Sequence, residues 1–189
     1  MFSGSNQFVS IHDNSIRSYD IRDSNHVAWQ IDDAGPVRAI DVNPNKAFHI
    51  AMGSEDGVLK IFDVRKNKEP VFSAGSIHQH WIFSVSFNKF HDQLLLTSSS
   101  DGKVLLTCAS SCSSEALQSS PSHNESDFPH DVKKSPLKDG LLETFSEHED
   151  SVYCVCWSVI DPWTFASLSY DGRLIITRIP KKYKYQIIL

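Results

Sequence analysis

The sequence predicts an all-β protein assembled from repeated four-stranded sheets, and three observations carry that reading. A turn signature of Ser, any residue, Asp-Gly and then a β-rich run recurs at 54–65 (SEDGVLKIFDVR), 99–110 (SSDGKVLLTCAS) and 169–180 (SYDGRLIITRIP), with an Asp-Asn variant at 11–22 (IHDNSIRSYDIR). An upstream run recurs with it, at 37–43 (VRAIDVN), 82–88 (IFSVSFN) and 152–158 (VYCVCWS). Its sixth residue, Val42, Phe87 or Trp157, stands 14 positions before the Asp of the Asp-Gly pair in all three copies. No apolar pattern of period 3.6 is long enough to specify a helix among these short runs.

The turn aspartates Asp13, Asp56, Asp101 and Asp171 are 43, 45 and 70 residues apart, and an inserted Ser-rich stretch accounts for the longer last interval. Four antiparallel strands per unit of this length is the pattern of a β-propeller blade. The boundaries fall at 1–32 (a partial blade with its second, third and fourth strands), 33–77, 78–147 and 148–189, about three and a half blades. In the last unit strands are expected near 152–157, 164–169, 172–178 and 184–188. Asn43-Pro44 and Asp161-Pro162 mark first turns, and Asp-Gly supplies the positive φ of a tight hairpin.

Strict alternation in 152–157 sets Val152, Cys154 and Cys156 against Tyr153, Val155 and Trp157, with no charge on either face. Small residues (Ala39, Ser84, Cys154) opposite bulky ones (Val42, Phe87, Trp157) suit sheets that taper toward an axis. Propellers generally close with at least four blades. The count therefore describes an incomplete propeller, the C-terminal half of a longer protein, with a four-bladed ring closed by the short N-terminal segment as the alternative.

Residues 109–140 shift to Ser, Pro, Asp, Asn and Lys, a composition that buries too little to offset its ordering entropy, so a disordered insertion is expected between the third and fourth strands. Ser120-Pro121 and Ser135-Pro136 are candidate proline-directed phosphorylation sites there, beside the plainer reading of a tolerated surface loop.

Composition narrows the function. Of 189 residues, 18 are Lys or Arg and 23 are Asp or Glu, a net charge of -5 that argues against binding nucleic acid through its phosphates. No run of 18 apolar residues supplies a transmembrane segment. Four cysteines, Cys108, Cys112, Cys154 and Cys156, are too few for a disulfide framework and point to a cytosolic compartment, while Cys154-Val155-Cys156 in an apolar strand argues against zinc. Neither a phosphate-binding Gly loop nor a carboxylate pair in a catalytic context occurs, so no enzyme activity and no cofactor are expected.

These repeats resemble the WD40 family, in which the dipeptide closing the third strand is usually Trp-Asp. Here it reads Tyr19-Asp20, Phe62-Asp63, Thr107-Cys108 and Thr177-Arg178. The resemblance implies a structural network within each blade: His78, Ser99 and Asp101 in one unit, His148, Ser169 and Asp171 in the next. Ser54 and Asp56 form it in a unit where Asp33 replaces the His. A set that recurs once per blade is scaffolding, whereas a catalytic triad would occur once. The segment 147–189, with Asp161-Pro162-Trp163, Leu168 to Arg173 and Lys184-Tyr185, is similar to the closing blade of the proteins that interact with the EARP and GARP tethering complexes. That resemblance implies EARP and GARP subunits as partners, a cytoplasmic location peripheral to endosomes and the trans-Golgi network, and roles in endosomal recycling, retrograde transport and dense-core vesicle cargo sorting. A WD40 scaffold in a chromatin-associated or peroxisomal-import pathway is the alternative.

The loops before each first strand and the turns joining second to third strands share one rim of such a fold. That rim carries Glu55, Gln79, His80, Trp81, Glu149, Asp150 and Tyr170, where an aromatic among charges makes a candidate partner anchor. The basic tail Lys181, Lys182 and Lys184 is weak on its own as a contact to an anionic surface.

Overall fold

The computed structural model describes residues 6–32, 35–66, 69–114 and 137–188. Their strands form four antiparallel sheets, an all-β, propeller-like arrangement. The first sheet is β1 (Gln7–His12), β2 (Ser15–Asp20) and β3 (Asp23–Ile31). The second runs β4 (Val37–Val42), β5 (His49–Ser54), β6 (Val58–Asp63), β7 (Phe72–Ser76). The third runs β8 (Ile82–Phe87), β9 (Leu94–Ser99), β10 (Val104–Cys108), β11 (Gly140–Phe145), and the last is β12 (Val152–Trp157), β13 (Thr164–Ser169), β14 (Leu174–Arg178).

Three cores lie between successive sheets. Ile16, Ile31, Val37, Met52 and Phe62 join the first to the second. Leu59, Ile61, Phe72, Ile82, Val85 and Phe87 join the second to the third. Leu96, Val104, Leu106, Val155, Trp157 and Phe165 join the third to the last. A strand sandwiched on both sides has no solvent face, so β5 and β9 are buried at all six positions, while β13 alternates buried with half-buried. Inter-sheet bonds add direction to this packing: the Phe87 N–H donates to Asp41 Oδ2 (2.8 Å) and Trp157 Nε1 to the Ser86 carbonyl (3.1 Å).

Three expectations need correction. The strict alternation of 152–157 fails because the register shifts between Val152 and Cys154, and the same irregularity sits between Val37 and Ala39 and between Ile82 and Ser84. Val152 thus buries with Val155 and Trp157, and Tyr153 turns outward.

The strand expected near 184–188 is instead helix α1 (Lys181–Ile188). Tyr183 and Ile187, four residues apart, share one helical face against Leu142 and Trp163, while the alternation of Tyr183, Tyr185 and Ile187 with Lys182, Lys184 and Gln186 is the period of two that reads as a strand. The Tyr183 hydroxyl donates to the Leu142 carbonyl, and Lys182 pairs with Glu143 at 3.0 Å.

Residues 109–114, expected within the disordered insertion, are placed in the fold. Ala109 and Cys112 are core residues, and Ser110–Cys112 forms a 3-10 turn. Ser120 and Ser135 lie outside the described residues, as does Asp33.

Candidate interaction rim and the polar network beneath it

The Asp-Gly turns of the second and third sheets lie against the loop that leads into the next sheet. Gly57 has φ +75°, and a Cβ there would stand 2.2 Å from the His78 carbonyl oxygen. That carbonyl belongs to the loop whose imidazole enters the third sheet. His78 Nδ1 donates to Asp101 Oδ2 at 2.9 Å, and with the proton on that nitrogen Nε2 accepts from the Thr97 hydroxyl at 2.9 Å. The last sheet repeats the arrangement: His148 Nδ1 to Asp171 Oδ2 at 3.0 Å, and Nε2 from the Ser167 hydroxyl at 2.8 Å.

Ser99 and Ser169 do not touch the imidazoles. They stand two positions further along and hold the turns: Ser99 Oγ donates to the His80 carbonyl and accepts from the Asp101 N–H, and Ser169 does the same with Asp150 and Asp171. On a strand, Thr97 and Ser99 share a face, so two hydroxyls at spacing two are equivalent by pattern and only the fold chooses between them. In the second sheet the Ser54 hydroxyl bonds the Asp56 carboxylate and the Val58 backbone.

Burial pushes the Asp101 and Asp171 pKa values up, but hydrogen bonds from the imidazoles and from backbone N–H groups outweigh it. Both fall below the ordinary carboxylate value, Asp171 to about 2. The pairs are nearly closed to solvent, and their geometry serves to tie turn to loop.

Above this network the rim residues separate into two groups. Around Trp81, the Arg38 guanidinium sits 4.6 Å over the ring while its Nε donates to Glu55 at 2.8 Å. His80 packs 5.0 Å from the Trp81 ring and bonds Ser100. Around Tyr170, the Tyr153 ring lies at 4.7 Å, and Arg173 pairs with Glu149 at 3.0 Å. Gln79 and Glu149 donate backbone N–H groups to the network carboxylates, and Asp150 is exposed.

Sequence reasoning missed Arg38, Phe83 and Tyr153. They are the residues at the three register shifts, where the bulge aims each toward the rim, and Phe83 accordingly meets Trp81 edge to face. Their equal offset from the upstream repeat was the available signal.

Asp20 and Asp63, the residues of the degraded third-strand dipeptide, share another device. Each takes a bidentate contact from the arginine two residues on, Arg22 or Arg65, which holds each pKa at about 2. Cys108 and Cys112 are buried, which pushes their thiols up to about 12, whereas Cys154 and Cys156 lie exposed on the last sheet. Among the described residues no three His, Cys, Asp or Glu side chains gather as a metal site, and no helix is long and apolar enough to cross a membrane.

Sheets stacked face to face, with one carboxylate-imidazole tie repeated from unit to unit under an aromatic rim, define a repeat protein of the propeller class. The chain belongs to the WD40 family: the WD domain, G-beta repeat profile matches residues 26–63, 72–107 and 140–177, more than half its length. Each matched span joins the outer strand of one sheet to the three inner strands of the next, so the sequence unit bridges two sheets.

Among curated proteins the chain is similar to the human "EARP and GARP complex-interacting protein 1", 42% identical over 97% of this chain and 49% of that protein. It is also similar to "EARP-interacting protein 1" of Caenorhabditis elegans, 45% identical over 79% of this chain and 41% of that protein. "WD repeat-containing protein DWA2" of Arabidopsis thaliana is 32% identical over 76% of this chain and 38% of its own. The chain spans about half the length of the first two relatives.

Proposed function

We propose that this protein is a non-catalytic WD40 scaffold that binds subunits of the EARP and GARP tethering complexes. The observation that carries the reading is the similarity over nearly the whole chain to proteins named for that interaction. The site supports it: its charged groups are paired in fixed ties and its aromatic residues sit exposed among them, which suits a docking surface better than proton transfer. Binding to these complexes would place the protein on the cytoplasmic side of endosomes and the trans-Golgi network. From there it would act in endosomal recycling, in retrograde transport and in sorting dense-core vesicle cargo. Affinity purification of the tagged chain from cells, with EARP and GARP subunits quantified against an unrelated WD40 propeller, tests this. Enrichment of those subunits is expected, and equal recovery with the control overturns it.

A further inference from the structure

The second and last sheets fill the same two rim positions with different chemistry. On the second sheet the residue at the register shift is Arg38, and the residue after the strand-ending Ser54 is Glu55. The chain there supplies its own cation over the Trp81 ring and its own carboxylate to hold that cation. On the last sheet the same positions, at the shift and after Ser169, are Tyr153 and Tyr170. Their rings lie 4.7 Å apart at a 43° tilt, and the residues are 37% and 68% exposed. The cation–ring contacts among the described residues use Trp81, Phe48, Tyr183 and Trp163, and neither of these tyrosines carries one.

Carboxylates are fixed beside the pair. The Tyr170 N–H donates to the Ser151 carbonyl at 3.1 Å and the Ser169 hydroxyl to the Asp150 carbonyl at 2.9 Å, which holds the turn against the loop 147–151. On that loop Glu147, Glu149 and Asp150 are exposed, and of the three Glu149 alone has an ion pair, with Arg173.

The rest of the rim has the same sign. Asp13, Asp32 and Asp56 are exposed and make no ion pair among the described residues. Lys103 is the one lysine or arginine described on this rim outside the Arg38–Glu55 and Arg173–Glu149 pairs. Hydrogen bonds from neutral donors leave a carboxylate its charge, so the rim is acidic around exposed aromatic rings.

We propose that the Tyr153–Tyr170 pair receives an arginine or lysine side chain from a basic, extended segment of a partner protein, with the rings against the cation and Glu147 and Asp150 taking up its charge. An acidic segment is repelled by this rim, and an apolar one strips water from its carboxylates without replacing it. The inference rests on the partner reading only in taking that segment to belong to an EARP or GARP subunit.

The test is fluorescence anisotropy of the full chain with a labelled peptide alternating arginine and serine, and with the same peptide carrying glutamate in place of arginine. Binding is expected for the arginine peptide alone, weakening as salt rises. Tyr170→Ala is expected to weaken it about three- to fivefold, with Tyr170→Phe within about twofold of the parent. Glu147→Lys combined with Asp150→Lys is expected to weaken it about fivefold or more. Phe90→Ser, in the turn between β8 and β9, is expected to leave it unchanged. Equal binding of both peptides, or binding of neither, overturns the proposal. So does loss on reversing Glu147 and Asp150 with none on Tyr170→Ala, because that pattern marks attraction to any polycation. A chain that binds the arginine peptide at this pair yet recovers no EARP or GARP subunit from cells overturns the partner reading and leaves the cation site standing.

Discussion

Gly57 shows how a single residue joins two sheets. Its positive φ excludes a Cβ on conformational grounds, and the His78 carbonyl excludes it again by contact, whereas the equivalent Gly172, φ +79°, has nothing within 4 Å. Gly57→Ala is therefore expected to cost about 1–3 kcal/mol of stability, with Gly172→Ala at the low end or below, read from denaturant midpoints. Asp171 makes the second residue-scale prediction. Its pKa in the fold, about 2, lies below the ordinary 3.8, so ionisation favours the folded state. That gain is complete above about pH 4 and is lost as the pH falls through the folded value. Asp63 behaves alike through Arg65. Acid titration of stability is expected to fall off from pH 4 toward 2, and Asp171→Asn to flatten the slope there while lowering stability at neutral pH.

At the scale of elements, burial decides what a strand residue contributes. Leu106 on β10 is fully buried between the third and last sheets, whereas its counterpart Ile176 on β14 is 70% exposed. Leu106→Ala should cost about 2–5 kcal/mol, and Ile176→Ala less than about 0.5 kcal/mol, in urea unfolding of the same chain. The repeats made most strands legible because Asp-Gly turns and apolar runs are local signals. The bulges at Arg38, Phe83 and Tyr153 were not legible, since a register shift is settled by the partner strand and leaves the run of apolar residues unchanged. Helix α1 escaped for a different reason. Tyr183 and Ile187 make only one turn of pattern, beside an alternation of period two, and their value lies in docking on Leu142 and Trp163, which sequence distance hides. The His-Asp ties were expected from the resemblance to WD40 repeats, while the choice of Thr97 over Ser99 depended on which hydroxyl reaches the ring.

The whole molecule combines a repeated internal tie with a rim on which aromatic side chains stand among paired charges. Trp81 and Tyr170 stand exposed on the Asp-Gly rim, packed on one side by Arg38, His80 and Phe83 and by Tyr153, outside the three cores, so truncating them should remove contacts to a partner and spare the fold. The most direct test of the scaffold reading compares the tagged chain with a Trp81→Ala, Tyr170→Ala variant in affinity purification from cells. The account predicts that EARP and GARP subunits are enriched by the parent chain and that most of the enrichment is lost in the variant at an unchanged thermal midpoint. Recovery of those subunits at the level of an unrelated propeller, or full retention by the variant, would contradict it.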